Sequence, residues 1–268
     1  MRASDVKTMI LAGGLGTRMQ ELTQLVPKPM IEIGGWPILW HIMKIYAYFG
    51  VNDFAIALGY RGDVIKDYFL NYNIKAHSMR IDLGRGVAEP IEPRSENWVI
   101  DLVDTGEHAQ TGARIARMRP FLGERTFFLT YGDGVGDIDI SDLLAFHRSH
   151  GGIATVTAVR PPSKFGALDI RETARVAQFS EKPVTGDTWI NGGFFALEAR
   201  VFDYLRDDDS CAFEQEPLEA LAADGQLSAY RHHGYWRCID TKNDVAQVNA
   251  IWNQGNAAWK LWSEDETK

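Results

Sequence analysis

Cysteine is scarce in this chain: Cys211 and Cys238 are the only two, with neither CxxC spacing nor a framework of pairs. That excludes a disulfide-stapled secreted scaffold, and it predicts a reducing compartment with both thiols as buried fillers. Positive charge is also short, 28 Lys and Arg against 36 Asp and Glu for a formal net charge of -8. A surface with that balance lacks the excess cation needed to coat a nucleic acid. Long apolar runs are missing too. The first, Met9 to Ala12, stops at Gly13 and Gly14, and none approaches the ~20 apolar residues of a membrane helix or forms a secretory leader. These absences predict a cytoplasmic protein with no nucleic-acid or membrane partner.

What is present is enough apolar residue, 45% of 268, to bury the core of one sizeable α/β domain. "VKTMILA" (6–12), "DFAIALG" (53–59), "RTFFLTYGDG" (125–134) and "IATVTAV" (153–159) read as strands, the third running into a loop. Between them "PILWHIMKIYAYFG" (37–50), "DVIKDYFLNY" (63–72) and "DISDLLAFHRSHG" (139–151) read as helices. The alternation predicts an α/β fold, a single Rossmann-like, doubly wound, mostly parallel mixed sheet flanked by helices. After Phe165 the runs shorten, with strands over 166–170, 175–183 and 188–197 and helices over 215–225 and 242–254. Residues 73–98, rich in Arg, Glu, Pro and Gly, read as a small lid or insertion within one domain spanning 1–268.

Ligands of such sheets gather at the carboxyl ends of strands, where "AGGLGTR" (12–18) and "YGDG" (131–134) fall. Glycines there let backbone N–H groups approach an anion with no Cβ in the way. The stretch has no third glycine at the Rossmann position and no Gly-Lys-Ser/Thr of a P-loop. Instead it reads Gly14-x-Gly16-Thr17-Arg18, then nine residues, then Lys28-Pro29. Two fixed cations beside a glycine loop, in an acidic chain, point to an anionic ligand. The alternative is a tight strand-to-helix turn with a solvated Arg and Lys.

That pattern, followed in order by "YGDG" (131–134), "EKP" (181–183), "NGGFF" (191–195) and "IDT" (239–241), resembles the sugar-1-phosphate nucleotidylyltransferases over nearly the whole chain. The resemblance implies the nucleotide-diphospho-sugar transferase fold and a role for each matching residue. Arg18 and Lys28 would meet the triphosphate, Asp133 and Asp240 would ligate Mg2+, and Lys182 would neutralise the sugar phosphate. Glu181, Asn191, Gly192 and Gly193 would hold the sugar. Leu11, Ala12, Gly13, Gly14, Gly16, Thr17, Gly132 and the TGxR run Thr111, Gly112 and Arg114 would surround the nucleotide. Further stretches, "KPMIEIGGWPILWHIMKIY" (28–46), "VDTGEHAQTGAR" (103–114) and "EQEPLEALAADGQL" (214–227), are similar to the branch that joins CTP to glucose 1-phosphate, making CDP-glucose for deoxysugar pathways. The implied reaction is in-line attack of a sugar-phosphate oxygen on the α-phosphorus, so positioning and charge neutralisation dominate. The nucleophile is already an anion and needs no general base, which fits a chain without an evident catalytic His or Ser arrangement. UTP or dTTP as donor, and a non-catalytic nucleotide-binding module, remain open.

Other polar residues have plainer readings. His147 and His150, three apart on a helix, read as a surface pair, and His232-His233 as a strand-edge pair. Asp207-Asp208-Asp209 reads as a solvated loop. Glu214, Gln215 and Glu216 read equally as an acidic run near the site or as a solvated helix start. Trp252, Trp259 and Trp262 either cover the core or form a contact between subunits, and the resemblance implies a homo-oligomer.

Overall fold

The computed structural model of the chain describes residues 2–14, 16, 26–91, 96–160, 167–170, 176–180 and 188–263. Its central sheet comprises β1 (Thr8–Leu11), β2 (Asp53–Leu58), β3 (Val99–Asp104), β4 (Phe127–Tyr131), β5 (Ala154–Val159), β6 (Ile190–Asn191), β7 (Phe195–Leu197) and β8 (Leu227–Arg231). β1 pairs in parallel with β2 on one side and β4 on the other, and β2 pairs in parallel with β3 at the edge. β7 runs antiparallel between β4 and β5, while β5 adds β6 antiparallel and β8 parallel. The sheet is therefore mixed and mostly parallel.

Near-continuous apolar runs make the inner strands because helices cover both faces. Ile10, Phe54, Ile56, Phe128 and Ala196 point into one apolar cluster, and their sequence neighbours Met9, Ala55, Ala57, Phe127, Leu129 and Phe195 into the other. The first cluster is closed by α1 (Ile38–Tyr48), α2 (Gly62–Leu70), α4 (Ile140–His150) and α6 (Lys242–Asn253), the second by α3 (Thr111–Arg117) and α5 (Glu216–Ala223). Local chemistry sets the ends. The Asp139 carboxylate accepts from Asp142 N at the start of α4, and Gly151, with φ 66°, ends it. Thr241 and Asp244 form a reciprocal capping box at the start of α6.

The helix α1 is buried from Ile38 through Tyr46, His41 and Lys44 included. Its outer side is sealed by the tail tryptophans, which cover the core: Trp262 meets Trp40 edge-on at 5.5 Å, and Trp252 meets His41 at 4.8 Å. Trp259 is wholly buried.

Several features differ from the sequence reading. β3 was not foreseen, because an edge strand half open to solvent carries aspartates at positions 101 and 104. The run over 188–197 is interrupted at Gly192–Phe194, where Phe194 adopts φ 44° and divides it into β6 and β7. His147 is not a surface residue. It is buried, with its ring between Thr155 Oγ1 at 2.8 Å and the Glu198 carboxylate at 3.2 Å, and His150 reaches the same Thr155 hydroxyl. Within 73–98 the described residues include most of a short helix, Tyr72–Ala76, and a two-stranded hairpin, Met79–Asp82 with Val87–Pro90, separate from the central sheet.

Burial pushes His41 down to about 4, although its hydrogen bond to Ile33 O opposes the shift. Neutral in the fold, it leaves the unfolded chain binding the extra proton below an ordinary pKa of about 6.5. Stability should therefore fall as pH drops from about 6.5 to 4, by on the order of 3 kcal/mol from this group alone. The urea midpoint should show a steeper acid decline in the wild type than in His41→Phe; equal slopes would remove His41 as the cause.

Candidate active site

Three parallel strand ends meet beneath the glycine loop. Ala12 N donates to Ala57 O at 3.0 Å, Gly132 N to Leu11 O at 2.9 Å and Tyr60 N to Gly13 O at 3.2 Å. Together they form the floor of a cavity of about 510 Å³, walled by Lys28 and Pro29 on one side and by Gln110 and Thr111 on another. Gly132 has to be glycine for this approach: a Cβ there would lie 2.8 Å from both Leu11 O and Pro29 Cγ.

Lys28, on a short turn over Lys28–Met30, sends its ammonium between two carboxylates, Asp133 Oδ2 at 2.7 Å and Asp240 Oδ1 at 2.6 Å. Asp133 follows β4. Asp240 follows the short strand Trp236–Cys238, which pairs antiparallel with Gly134–Gly136, and Ile239 N donates to Asp133 O at 2.9 Å. Asp240 is fixed from its far side too, because its N–H donates to Asp244 in the capping box of α6. Burial of Lys28 acts to lower its pKa, but the charge of Asp133 and hydrogen bonds to both carboxylates outweigh it and push the group up to about 12. Two carboxylates facing one cation are a donor set that also suits a small hard divalent ion.

Arg114 lines the cavity, yet its guanidinium is spent on protein oxygens. Nη1 donates to Leu58 O, Thr105 Oγ1 and Gly106 O at 2.9, 2.8 and 2.7 Å, and Nη2 to Gly13 O at 2.9 Å and Glu107 O at 3.2 Å. It clamps the glycine loop to the segment after β3. Gly112 does not line the cavity; it packs on Cys211, whose carbonyl would lie 2.9 Å from a Cβ at that position. Thr111 and Asn191 are joined by a bridge that the sequence did not reveal. Thr111 Oγ1 and the Tyr131 hydroxyl both donate to Glu214, at 2.6 and 2.7 Å, and Asn191 donates to the Tyr131 oxygen at 3.2 Å. Burial and the charge of Glu214 push the Tyr131 phenol up, so it stays a donor. Tyr131 opens the "YGDG" motif, and that adjacency was the signal available. Gly192 and Gly193 are buried in the turn between β6 and β7; Asn191 accepts from Gly193 N at 2.8 Å.

Cys238 is not buried filler. It is half-buried, and its sulfur lies with Asp133 and Asp240 in a group whose ligand atoms are all within 4.8 Å of one another. Cys211 is buried as expected. Asp207 and Asp209 are exposed but pair with Arg117 at 2.6 and 2.9 Å, so that loop is held as well as solvated. His232 lies just beyond β8, 2.9 Å from Asp137 Oδ1, while His233 is exposed. Glu216 begins α5 and pairs with Arg206 at 2.5 Å. Thr17, Arg18, Glu181 and Lys182 lie outside the described residues.

The Nucleotidyl transferase family model matches residues 7–257. The chain is 47% identical over 258 residues to the glucose-1-phosphate cytidylyltransferase of Salmonella typhimurium, covering 96% of this chain and 100% of the relative. It is 46% identical, at the same coverage, to the enzyme of that name from Salmonella typhi. A crystal structure of UDP-glucose pyrophosphorylase complexed with UDP-glucose superposes with a TM-score of 0.67 at 16% identity, covering 93% of this chain and 99% of that one. At that identity it speaks for the fold, a mixed and mostly parallel sheet between helices.

Arg114→Ala would remove this donor from Thr105 Oγ1, Gly106 O and Glu107 O and one of several donors from Leu58 O and Gly13 O, and should cost on the order of 3 kcal/mol in urea unfolding. A loss well under about 1 kcal/mol would mean that the clamp does not hold the loop.

Proposed function

Because the chain belongs to the nucleotidyl transferase family, we propose that it transfers the cytidylyl group of CTP to α-D-glucose 1-phosphate and releases pyrophosphate. The observation that carries this reading is the convergence of Lys28, Asp133 and Asp240 in the lining of a cavity that the glycine loop also lines. An oxygen of the sugar phosphate attacks the α-phosphorus in line as the bond to pyrophosphate breaks, so two anions must be brought together.

Each residue then manages charge or position. Lys28 offers its ammonium to the triphosphate, with Arg18 as second cation on the α-phosphate and the departing pyrophosphate. Lys182 neutralises the sugar phosphate, and Glu181 and Asn191 accept or donate hydrogen bonds to sugar hydroxyls. Asp133 and Asp240 would hold Mg2+, which when bound neutralises phosphate oxygens. The Tyr131–Glu214 bridge ties the cavity wall bearing Thr111 to Asn191 of β6. Base choice falls to the loop. The Leu11 and Gly13 carbonyls already accept protein donors. Among the described residues, the Ala12 carbonyl and the Gly13 and Gly14 N–H groups are left to face a base edge. An acceptor beside donors meets what any pyrimidine edge offers, and the choice of cytosine rests on the likeness to the Salmonella cytidylyltransferases. Both substrates are metabolites of the cytoplasm, which is where we place the protein; among the described residues no helix is long and apolar enough to cross a membrane.

We also propose that the chain is one domain and forms a homo-oligomer through the insertion at 73–98. The exposed Ile81, Leu83 and Val87 of its hairpin, with Leu70 and Ile74 beside them in sequence, support an apolar contact between copies. Light scattering should give a mass at a multiple of one chain, and a monomer at micromolar concentration would rule this out.

Pyrophosphate release with glucose 1-phosphate and Mg2+ should be strong with CTP and weak with UTP, dTTP, ATP and GTP. Preference for UTP or dTTP would discard the cytidylyl assignment, and silence with all five would discard transfer to this sugar phosphate. Asp133→Asn and Asp240→Asn should each lower turnover by on the order of 100-fold with the fold intact. Lys182→Ala should lose use of the sugar phosphate while nucleotide binding stays near normal.

A further inference from the structure

The cation position between Asp133 and Asp240 has a third corner that a magnesium site does not use. Antiparallel pairing sets Cys238 opposite Gly134, immediately after Asp133, and turns its sulfur toward both carboxylates. The three side chains can each offer one ligand atom, all within 4.8 Å of one another. A cationic group already occupies the gap, since the Lys28 ammonium touches both carboxylates. Cys211, the other thiol, is remote from this chemistry and packs on Gly112.

Donor softness then decides which ion is preferred. Magnesium takes oxygen ligands and water and gains nothing from sulfur. Zinc and cadmium are drawn to thiolate, and zinc is held in proteins by cysteine and carboxylate alike. We propose that Asp133, Cys238 and Asp240 form a site for a soft divalent cation of the zinc–cadmium class, and that such a cation displaces the Lys28 ammonium. On binding, Cys238 forms a sulfur–metal bond and its thiol proton passes to solvent. Water completes the coordination. The inference rests on the reading of Asp133 and Asp240 as a cation site, but it does not depend on the reaction catalysed there.

The test uses Cd2+ alone, added to the full metal-free chain without substrates, and reads the ultraviolet thiolate-to-cadmium charge-transfer band. The wild type and Cys211→Ala should each develop one saturable band at one equivalent. Cys238→Ser and Cys238→Ala should develop none, and Asp240→Asn should bind about tenfold more weakly. Lys28→Met, which removes the competing ammonium, should bind about tenfold more tightly. No band in the wild type, or a band that survives Cys238→Ser, would overturn the proposal, as would an affinity unchanged in Lys28→Met. Excess Mg2+ separates the two readings. If it suppresses the band, both stand. If it does not, the soft-cation site stands, and the assignment of Mg2+ is decided by the turnover of Asp133→Asn and Asp240→Asn.

Discussion

Lys28 holds together parts of the chain that are far apart in sequence, bonding Asp133 at a separation of 105 residues and Asp240 at 212. Two carboxylates at that distance from one another would repel if the ammonium were absent, and much of the surrounding structure serves to keep all three in place. β4 delivers Asp133, the strand Trp236–Cys238 delivers Asp240 beside it, and the capping box of α6 holds Asp240 from behind. The attraction is strong because Lys28 is largely withdrawn from water, so its charge and those of the carboxylates are weakly screened. An anionic substrate entering this cavity therefore meets a cation that is already oriented.

Arg114 shows how the same cavity separates contact from support. The TGxR run implied a nucleotide contact, and Thr111 and Arg114 do line the cavity. Yet Nη1 and Nη2 of Arg114 both donate to protein oxygens, so it shapes the glycine loop by fixing the Gly13 carbonyl from below. Buried arginine is suited to this, because its fork of donors can satisfy several carbonyls at once while keeping its charge. Gly112 belongs to the same support: its missing side chain lets α3 approach Cys211.

How much of this could be read from the sequence depends on how local the signal is. β1, β2, β4, β5 and the helices α1, α4 and α6 announce themselves through apolar runs of the right length and period, because a sheet covered on both faces leaves strands few polar positions. β3 sits at the edge, half wet, and its aspartates hid it. Lys28, Asp133 and Asp240 were legible as motifs, but their mutual contact was not, since nothing local encodes a bond across 212 residues. For the same reason Cys238 read as filler and His147 as a surface group. A cysteine beside an apolar residue looks alike whether it faces a core or a carboxylate, and the Glu198 that receives His147 lies 51 residues away.

The tail has a bearing on when the protein comes into being. Trp259 and Trp262 complete the shell around α1, and Asp240 arrives only shortly before them in the chain. A nascent polypeptide emerging from the ribosome can assemble the early strands, but α1 stays partly uncovered and the cavity lacks one of its carboxylates until these last segments are released. Synthesis order thus couples two events, because the pairing of Lys28 with Asp240 and the closure of the hydrophobic shell over α1 both wait for the chain beyond residue 239.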